Sequence, residues 1–269
     1  MDIALYIIIF IMGTVFGSFL TLATYRIPLH KNITHEHSFC PSCNHKLSFL
    51  DLIPVWSYIF LGGKCRYCKK KIGSRYFFIE ITTGIAFMIL AYILEINVMS
   101  LTIIKCIDFA IASLYIVFLY LIAGIDIKHK KICKSVIIYG FTIACINIVF
   151  QYITATSDGY IYNLNRVMIY LIIIILVLMF NIESIRKTKK YDYCIDLVLV
   201  SIIMCMFTYE ITTILSVIGC LLIVTINLLI NKIFNKGNEK NINKMPMAFY
   251  LVISNMIVFV SLYLYIIIA

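Results

Sequence analysis

The stretch from Ile3 to Ala23, IALYIIIFIMGTVFGSFLTLA, contains 21 residues and no charged side chain. An α-helix of this length is about 30 Å long, which matches the hydrocarbon core of a bilayer. The stretch lacks a basic N-terminal region and a small-residue cleavage site, so we expect a retained first span and not a signal peptide. Similar apolar blocks recur along the chain, and together they predict a protein that crosses a membrane several times.

The composition favours the same class. Of 269 residues, 62% are hydrophobic and 13% are charged, and the mean hydropathy is +0.99. Soluble domains usually contain about 45–50% apolar and about 25% charged residues, so a water-soluble globule is excluded. A net charge of +10 would raise the question of nucleic-acid binding in a soluble protein. Here the basic residues follow the sides of the membrane, so we expect contact with lipid and none with nucleic acid.

Eight apolar segments predict an all-α polytopic fold with eight transmembrane helices. The segments are Ile3–Ala23, Phe77–Leu94, Leu101–Ile125, Val136–Ile153, Val167–Ile182, Cys194–Phe207, Ile211–Ile230 and Met247–Ile268. The sixth is the shortest. The predicted organisation is a first transmembrane helix in residues 1–24, a cytoplasmic loop in residues 25–76 and a seven-helix membrane region in residues 77–269.

Basic residues are concentrated in alternate connections between these segments. Nine lie between Tyr25 and Tyr76: Arg26, Lys31, Lys46, Lys64, Arg66, Lys69, Lys70, Lys71 and Arg75. Three later connections hold four each: Lys128, Lys130, Lys131 and Lys134; Arg186, Lys187, Lys189 and Lys190; Lys232, Lys236, Lys240 and Lys244. Since cytoplasmic loops carry an excess of Lys and Arg, the four basic connections are predicted to face the cytoplasm and both termini the outside.

Two CxxC motifs stand in the first basic loop, separated by 21 residues: Cys40-Pro41-Ser42-Cys43 and Cys65-Arg66-Tyr67-Cys68. Four thiolates from two such motifs complete a tetrahedral site with no open position, as a structural zinc ion requires. Such an ion would also allow a loop with little apolar content to fold. The alternatives are four reduced cysteines without a role, or a redox pair. The other six cysteines occur singly and are interpreted as packing residues.

Two aspartates lie where a predicted span meets the cytoplasm. Asp126 is at the C-terminal end of the third span, where a carboxylate opposes the helix dipole unless a nearby lysine offsets it. Asp196 begins the sixth span, where it could simply cap the helix. If the two helices are neighbours, the carboxylates could share a proton and activate water, which is aspartyl protease chemistry. Asp192, one helical turn earlier, competes with Asp196 for the second position.

The residues resemble the type IV prepilin peptidase family of leader peptidases and N-methyltransferases. GSFLTLATYRIP, from Gly17 to Pro28, is similar to the family's GSFLNVxxYRxP, and the segment from Phe39 to Gly84 resembles its cysteine region almost position by position. The resemblance implies Asp126 and Asp196 as catalytic residues and zinc on the four cysteines. It also implies Glu80 as a candidate functional residue. Prepilin or pseudopilin precursors would be the substrates, cleaved at the bacterial cytoplasmic membrane and then methylated with S-adenosylmethionine.

This sequence departs from the family around the second aspartate. The family's GxGD motif reads Tyr193-Cys194-Ile195-Asp196 here, so both glycines are absent, and Met245-Pro246-Met247-Ala248 is similar to a degraded IPFG. The cysteine segment is intact. One alternative is therefore a methyltransferase or accessory relative whose protease activity has decayed. Another is a proton-coupled small-solute transporter, which usually has repeated halves and midplane charges that this sequence does not show.

Overall fold

The computed structural model describes residues 2–32, 37–157, 193–208, 210–234 and 246–268. Helices dominate these residues, and β-structure among them is limited to two isolated bridges. The helices are α1 (Asp2–Arg26), α2 (Trp56–Phe60), α3 (Ser74–Ile93), α4 (Ile103–His129), α5 (Lys134–Ser157), α6 (Tyr193–Phe207), α7 (Glu210–Phe234) and α8 (Met247–Ile268). Short 3-10 turns occupy Ile27–Leu29 and Phe49–Asp51. The predicted all-α class is confirmed for this part of the chain.

Among the described residues, four helices are long and apolar enough to cross a membrane: α1 with the turn that follows it, α3, α4 and α5. They coincide with the first four predicted spans. Shorter apolar stretches in α6, α7 and α8 coincide with the sixth, seventh and eighth. The fifth predicted span, Val167–Ile182, lies outside the described residues. The described residues thus contain four candidate membrane spans, and the total of eight stays a prediction.

The chain divides into two compact units, residues 1–117 and 118–269. In the first unit, α1 packs along α3 through glycines. A Cβ atom added at Gly13 would lie 2.8 Å from the Cα of Gly84, and one added at Gly17 would lie 2.8 Å from the Cα of Glu80. Real side chains do not tolerate such distances, so the glycines allow the backbones to approach closely. The GxxxG pair of the first span is therefore a packing motif.

In the second unit, α5 packs on α6, and α7 packs on both α6 and α8. Polar side chains join α7 and α8 inside this bundle: the Asn255 amide donates to the Ser216 hydroxyl at 3.2 Å, and both residues are buried. Hydrogen bonds of this kind hold helices together where the apolar surroundings offer no other partner. The starts of α6 and α8 meet the end of α4 in one of the two clusters described below.

Candidate functional site

The two CxxC motifs fold into knuckles with the same backbone pattern. In each, the N–H of the first cysteine donates to the carbonyl five residues later, and the carbonyl of that cysteine accepts from the N–H four residues later. The four bonds are Cys40 N to His45 O (3.0 Å), Asn44 N to Cys40 O (2.8 Å), Cys65 N to Lys70 O (2.9 Å) and Lys69 N to Cys65 O (3.0 Å). One isolated β-bridge closes each knuckle. Such turns direct both thiols of a motif to the same side.

The residue after each second cysteine has a left-handed backbone: φ is 54° at Asn44 and 59° at Lys69. Asn adopts this conformation readily, whereas a long side chain such as Lys pays a steric penalty. The same strained turn therefore occurs in both knuckles, although their sequences differ. A common geometric demand on the sulfur positions explains that repetition.

The four sulfur atoms lie within 4.8 Å of one another. The Sγ atoms of Cys40 and Cys68, one from each knuckle, are 3.9 Å apart. A tetrahedral zinc site with Zn–S bonds of about 2.3 Å has S–S edges of about 3.8 Å. Cys40 and Cys65 are buried, whereas Cys43 and Cys68 are exposed. Number, chemistry and spacing of the donors all fit one tetrahedral metal ion.

The electrostatics of the cluster favour ionisation of one thiol first. The backbone N–H groups of Ser42 and Cys43 donate to the Cys40 sulfur and lower its pKa to about 6. At Cys43, the backbone N–H of His45 acts to lower the pKa, but burial and the neighbouring cysteine sulfurs outweigh it and raise that pKa to about 11. Adjacent thiolates repel one another, and a divalent cation among them would remove that cost.

A carboxylate outside the cluster contacts the second knuckle. Asp51 accepts from the Ser48 hydroxyl at 2.7 Å, from Arg66 Nε at 2.6 Å and from the Tyr67 hydroxyl at 3.2 Å. Burial acts to raise the pKa of Asp51, but the hydrogen bonds from Ser48 and the contact with Arg66 lower it to about 2. Because Arg66 and Tyr67 lie between Cys65 and Cys68, Asp51 orients the second knuckle.

A second cluster surrounds Asp126, whose side chain is fully buried in the last turn of α4. The Tyr193 hydroxyl donates to Asp126 Oδ1 at 2.8 Å, and the backbone N–H of Phe249 donates to Asp126 Oδ2 at 3.1 Å. The same Tyr193 oxygen accepts from the backbone N–H of Ala248 at 3.0 Å. One carboxylate, one phenol and two backbone N–H groups thus form a continuous network.

The first turn of α8 supplies backbone N–H donors to Asp126, because the C-terminal end of α4 has free carbonyl groups and no free N–H group. The first N–H groups of a helix have no partner within it and carry partial positive charge, so they suit a carboxylate. The helix α8 begins at Met247, and Ala248 and Phe249 direct two of these groups into the network. The compensation expected at Asp126 from a nearby lysine is present in the attraction of Lys130, and Tyr193 and the start of α8 add hydrogen bonds to it.

Asp196 lies one turn after Tyr193 on α6 and is 4% exposed. Residues three apart on a helix are surface neighbours, about 5–6 Å apart at their Cβ atoms. Tyr193, one turn away from Asp196, is the residue that contacts Asp126. The role of Asp196 as a second catalytic residue stays a prediction. Asp192, its competitor, lies outside the described residues.

Sequence reasoning missed Tyr193 as a partner of Asp126. It treated this residue only as a departure from the family's glycine motif. The sequence signal was limited to a hydroxyl-bearing side chain one turn before an aspartate at a helix start, which indicates a polar helix end but no partner on α4. The Pro246 that precedes α8 was a second signal, because proline marks a helix start whose N–H groups are free to bind an acid.

The first unit has a counterpart among known families. It consists of α1 packed on α3, with the four-cysteine loop between them in the chain. Residues 11–94 match the family model described as Bacterial Peptidase A24 N-terminal domain. More particularly, the chain is similar to the prepilin leader peptidase/N-methyltransferase of Vibrio cholerae, 40% identical over 96 residues that cover 32% of this chain and 36% of the relative. The resemblance inferred from the sequence is thereby confirmed over this segment.

Two further relatives have the same name. That of Bacillus subtilis is 41% identical over 80 residues, covering 30% of this chain and 32% of the relative. That of Myxococcus xanthus is 37% identical over 81 residues, covering 30% and 24%. The matched part thus spans about a third or less of the relatives' length, and Asp126 and Asp196 lie outside the family-model match. No solved structure matches the chain.

Proposed function

We propose that this chain is a membrane aspartyl endopeptidase that removes the leader of prepilin-like precursors and then N-methylates the new N-terminus. The similarity to enzymes named prepilin leader peptidase/N-methyltransferase supports the substrate class and both reactions. The observation that carries the protease half is the buried Asp126 carboxylate, held by hydrogen bonds from α6 and α8. A buried acid in a membrane helix is costly, and function is the usual reason for its presence.

Asp126 and Asp196 would divide the chemistry between them. The ionised carboxylate takes a proton from water while the water oxygen attacks the scissile carbonyl carbon, and the protonated carboxyl gives its proton to the carbonyl oxygen. The carboxyl that took the proton from water then gives it to the leaving nitrogen as the C–N bond breaks. The other carboxylate takes a proton back from a hydroxyl of the tetrahedral intermediate, so the pair again holds one shared proton. Tyr193 and the start of α8 position Asp126 for this exchange.

The membrane arrangement belongs to the same proposal. Eight spans with both termini outside would bring both aspartates to the cytoplasmic face of the bacterial inner membrane, where a precursor presents its basic leader. The division into a first helix (1–24), a cytoplasmic loop (25–76) and a seven-helix protease region (77–269) follows from that topology. Seven of the eight predicted spans coincide with helices or apolar helical stretches among the described residues.

Zinc would be held by Cys40, Cys43, Cys65 and Cys68, since four sulfurs at these distances fit its tetrahedral geometry. Bound there, it would supply structural cross-linking of the loop, because four thiolates leave no position for water or substrate. S-adenosylmethionine would be the methyl donor. That half of the proposal rests on the relatives' names, and no described side chain is assigned to it.

One observation favours a second candidate, a methyltransferase or accessory relative without protease activity. Both oxygens of Asp126 already accept hydrogen bonds, from Tyr193 and from Phe249, so the carboxylate is satisfied without a water molecule or a substrate. For cleavage, a water molecule has to use the remaining lone pairs of the carboxylate or displace one of these donors.

Co-expression with prepilin-like precursors distinguishes the two candidates. Cleavage is measured by the shift in precursor size, and methylation by the mass of the new N-terminus. The first proposal predicts cleavage by the unaltered chain and its loss in Asp196→Asn, with methylation of an already trimmed precursor retained. Cleavage that persists in the Asp126→Asn, Asp196→Asn double variant would refute the assignment of these residues, and absence of cleavage with retained methylation would favour the second candidate.

A further inference from the structure

The loop between α1 and α3 exposes a set of large apolar side chains on and beside α2. Phe49 is 82% exposed and Phe60 78%, and the only tryptophan of the chain, Trp56, is 54% exposed. We call the set of Phe49, Leu50, Trp56, Ile59 and Phe60 the aromatic edge. Trp56, Ile59 and Phe60 follow the i, i+3, i+4 spacing of one helix face, and the Trp56 and Phe60 rings stack at 6.0 Å. Exposed apolar patches of this kind mark a contact surface.

Two contacts anchor α2 to the first turns of α3. The backbone N–H of Val55, at the start of α2, donates to Glu80 Oε2 at 2.7 Å. The Tyr58 ring stacks on Phe77 at 4.9 Å, so the opposite face of α2 is the one that meets α3. The position of α2 along α3 is therefore fixed by a hydrogen bond and a ring contact, and the aromatic edge lies on the remaining side.

The backbone of Val55, which attaches α2 to Glu80, has an unfavourable conformation. Its φ is 64°, a conformation that is rare for a β-branched residue and is kept only where the surroundings require it. Val55 is itself buried, and its N–H points to a carboxylate that is also buried. Glu80, singled out in the sequence by resemblance alone, is thus one of the two residues of α3 that hold α2 in place.

The attachment fixes the depth of α2 relative to the membrane. The helix α3 has 20 residues and is a candidate span, and a helix of that length is about 30 Å long, as thick as the hydrocarbon core. The membrane boundary therefore falls near Ser74. Phe77 lies about 4.5 Å and Glu80 about 9 Å farther along the helix axis. An α2 bound to these two residues lies at the boundary between headgroups and acyl chains.

The charge of the loop complements an anionic lipid surface. Between Ile27 and Gly73 the sequence has seven Lys or Arg residues and two acidic residues. One of the acids, Asp51, already pairs with Arg66. The exposed lysines that remain beside the second knuckle are Lys64, Lys69, Lys70 and Lys71. Clusters of this kind next to a membrane helix attract anionic phospholipid headgroups.

We propose that the aromatic edge inserts into the headgroup–acyl boundary of the membrane that α3 spans, and that the neighbouring lysines bind the phosphates of anionic phospholipids. Trp and Phe side chains suit this boundary, and a basic surface beside them adds electrostatic attraction. The four-cysteine loop is then held flat on the membrane by lipid as well as by Glu80. The inference rests on α3 being a span and is independent of any peptidase activity.

The single tryptophan allows a direct test with the full chain in phosphatidylcholine/phosphatidylglycerol nanodiscs. Lipids brominated at the top of the acyl chain quench tryptophan at the boundary, lipids brominated near its middle quench deeper residues, and iodide quenches residues in water. Trp56→Phe defines the background. Ile85→Trp in that background, at an exposed position midway along α3, calibrates a tryptophan in the acyl region. We expect shallow bromolipid to quench Trp56 by more than half, deep bromolipid to quench it less, and iodide to have little effect.

Two results would overturn the inference. Strong iodide quenching without bromolipid quenching would place the edge in water, and protection from both quenchers would mean that protein covers it. Glu80→Gln, which keeps an acceptor, should preserve the bromolipid signal, whereas Glu80→Ala should reduce it at least twofold. Replacing Lys69, Lys70 and Lys71 by Gln should lower the quenching in anionic nanodiscs to the level in neutral ones. An unchanged signal in this triple variant would contradict the lipid-binding role of the lysines.

Discussion

The four-cysteine loop and the Asp126 cluster are assembled over very different lengths of chain. In the loop, the sulfurs in contact come from residues 28 positions apart, and each pair is set by one tight turn. At Asp126, the partners are 67 and 123 positions away and belong to two other helices. The four-cysteine site is determined by local turns and by the chemistry of its donors. The Asp126 cluster is determined by the positions that three helix ends reach when the helices pack.

The difference extends to what each region tolerates. A metal site of four thiolates needs four identical ligands at fixed spacing, so its motif stays legible in the sequence. A carboxylate can be satisfied by any donor that reaches it, here a phenol and a backbone N–H. The sequence around Asp126 can therefore depart from a family pattern while a network still forms, and the predictions below test whether that network also functions.

The largest effect is expected from Asp126→Asn. An amide cannot take a proton from water, and loss of a general base usually lowers the rate by about 10²–10⁴-fold. Leader cleavage measured on a prepilin-like precursor should fall by at least about a hundredfold. Asp108→Asn is the matched control, because Asp108 is a partly buried carboxylate on the same helix. Equal losses in both variants would show that the network at Asp126 has no special role.

Cys65→Ser should abolish metal binding by the loop. Cys65 is buried, and a hydroxyl cannot replace a thiolate in a tetrahedral zinc site. Purified protein should hold about one zinc per chain, and the variant less than about a tenth of that, with new proteolytic cleavage between the knuckles. Cys106→Ser removes an exposed cysteine of α4 and should leave the zinc content unchanged. Zinc retained in the Cys65 variant would show that the four cysteines are not the zinc ligands, and the loop could then no longer be compared with the Asp126 cluster as a functional site.

Much of the fold could be predicted from the sequence because length and hydropathy determine membrane helices. The first four predicted spans coincide with candidate spans among the described residues. The four cysteines could be grouped because their spacing alone restricts them to one site. Both the apolar spans and the cysteine motifs are defined by residues close together in the chain, so they can be recognised without knowing how the helices pack.

The contacts of Asp126 could not be predicted, since they depend on the register of three helices. Neither Tyr193 nor Phe249 has a sequence signal that pairs it with a residue on α4, and a shift of one residue in α8 would present a different N–H group. The left-handed backbone at Val55 was equally hidden, because nothing in a valine indicates it. The contacts of Asp126 and the backbone of Val55 both depend on how the helices pack, which local sequence patterns do not specify.

Tyr193→Phe tests whether the phenol positions Asp126 or obstructs it. A hydrogen bond to a charged group contributes about 1.5–3 kcal/mol, so its loss should lower kcat by about tenfold or more while KM changes little. Tyr250→Phe is the matched control, because its hydroxyl accepts from Asn227 at 2.7 Å in the same unit and has no bond to Asp126. Faster cleavage by the Tyr193 variant would show that the hydroxyl blocks the site and would favour the candidate without protease activity.

Asp51→Asn should have the smallest effect, because it loosens the second knuckle without removing a ligand. Its ion pair with Arg66 is partly open to solvent, which screens the attraction, so most of the benefit comes from orientation. We expect zinc transfer to a chelator to become about threefold faster, within the range of a weakened surface ion pair. Asp2→Asn is the control, since this carboxylate accepts from the Val98 N–H elsewhere in the first unit.

The pH dependence of that last variant separates Asp51 from the cysteines. The pKa of Asp51 is about 2 in the folded loop, against about 3.9 in an unfolded chain, so its contribution is complete above about pH 4 and disappears as the pH falls through about 2. The ratio of the transfer rates of variant and parent should therefore stay constant between about pH 6 and pH 8. A ratio that changes within this range would mean that the substitution acts through the ionisation of the thiols and not through the orientation of the second knuckle.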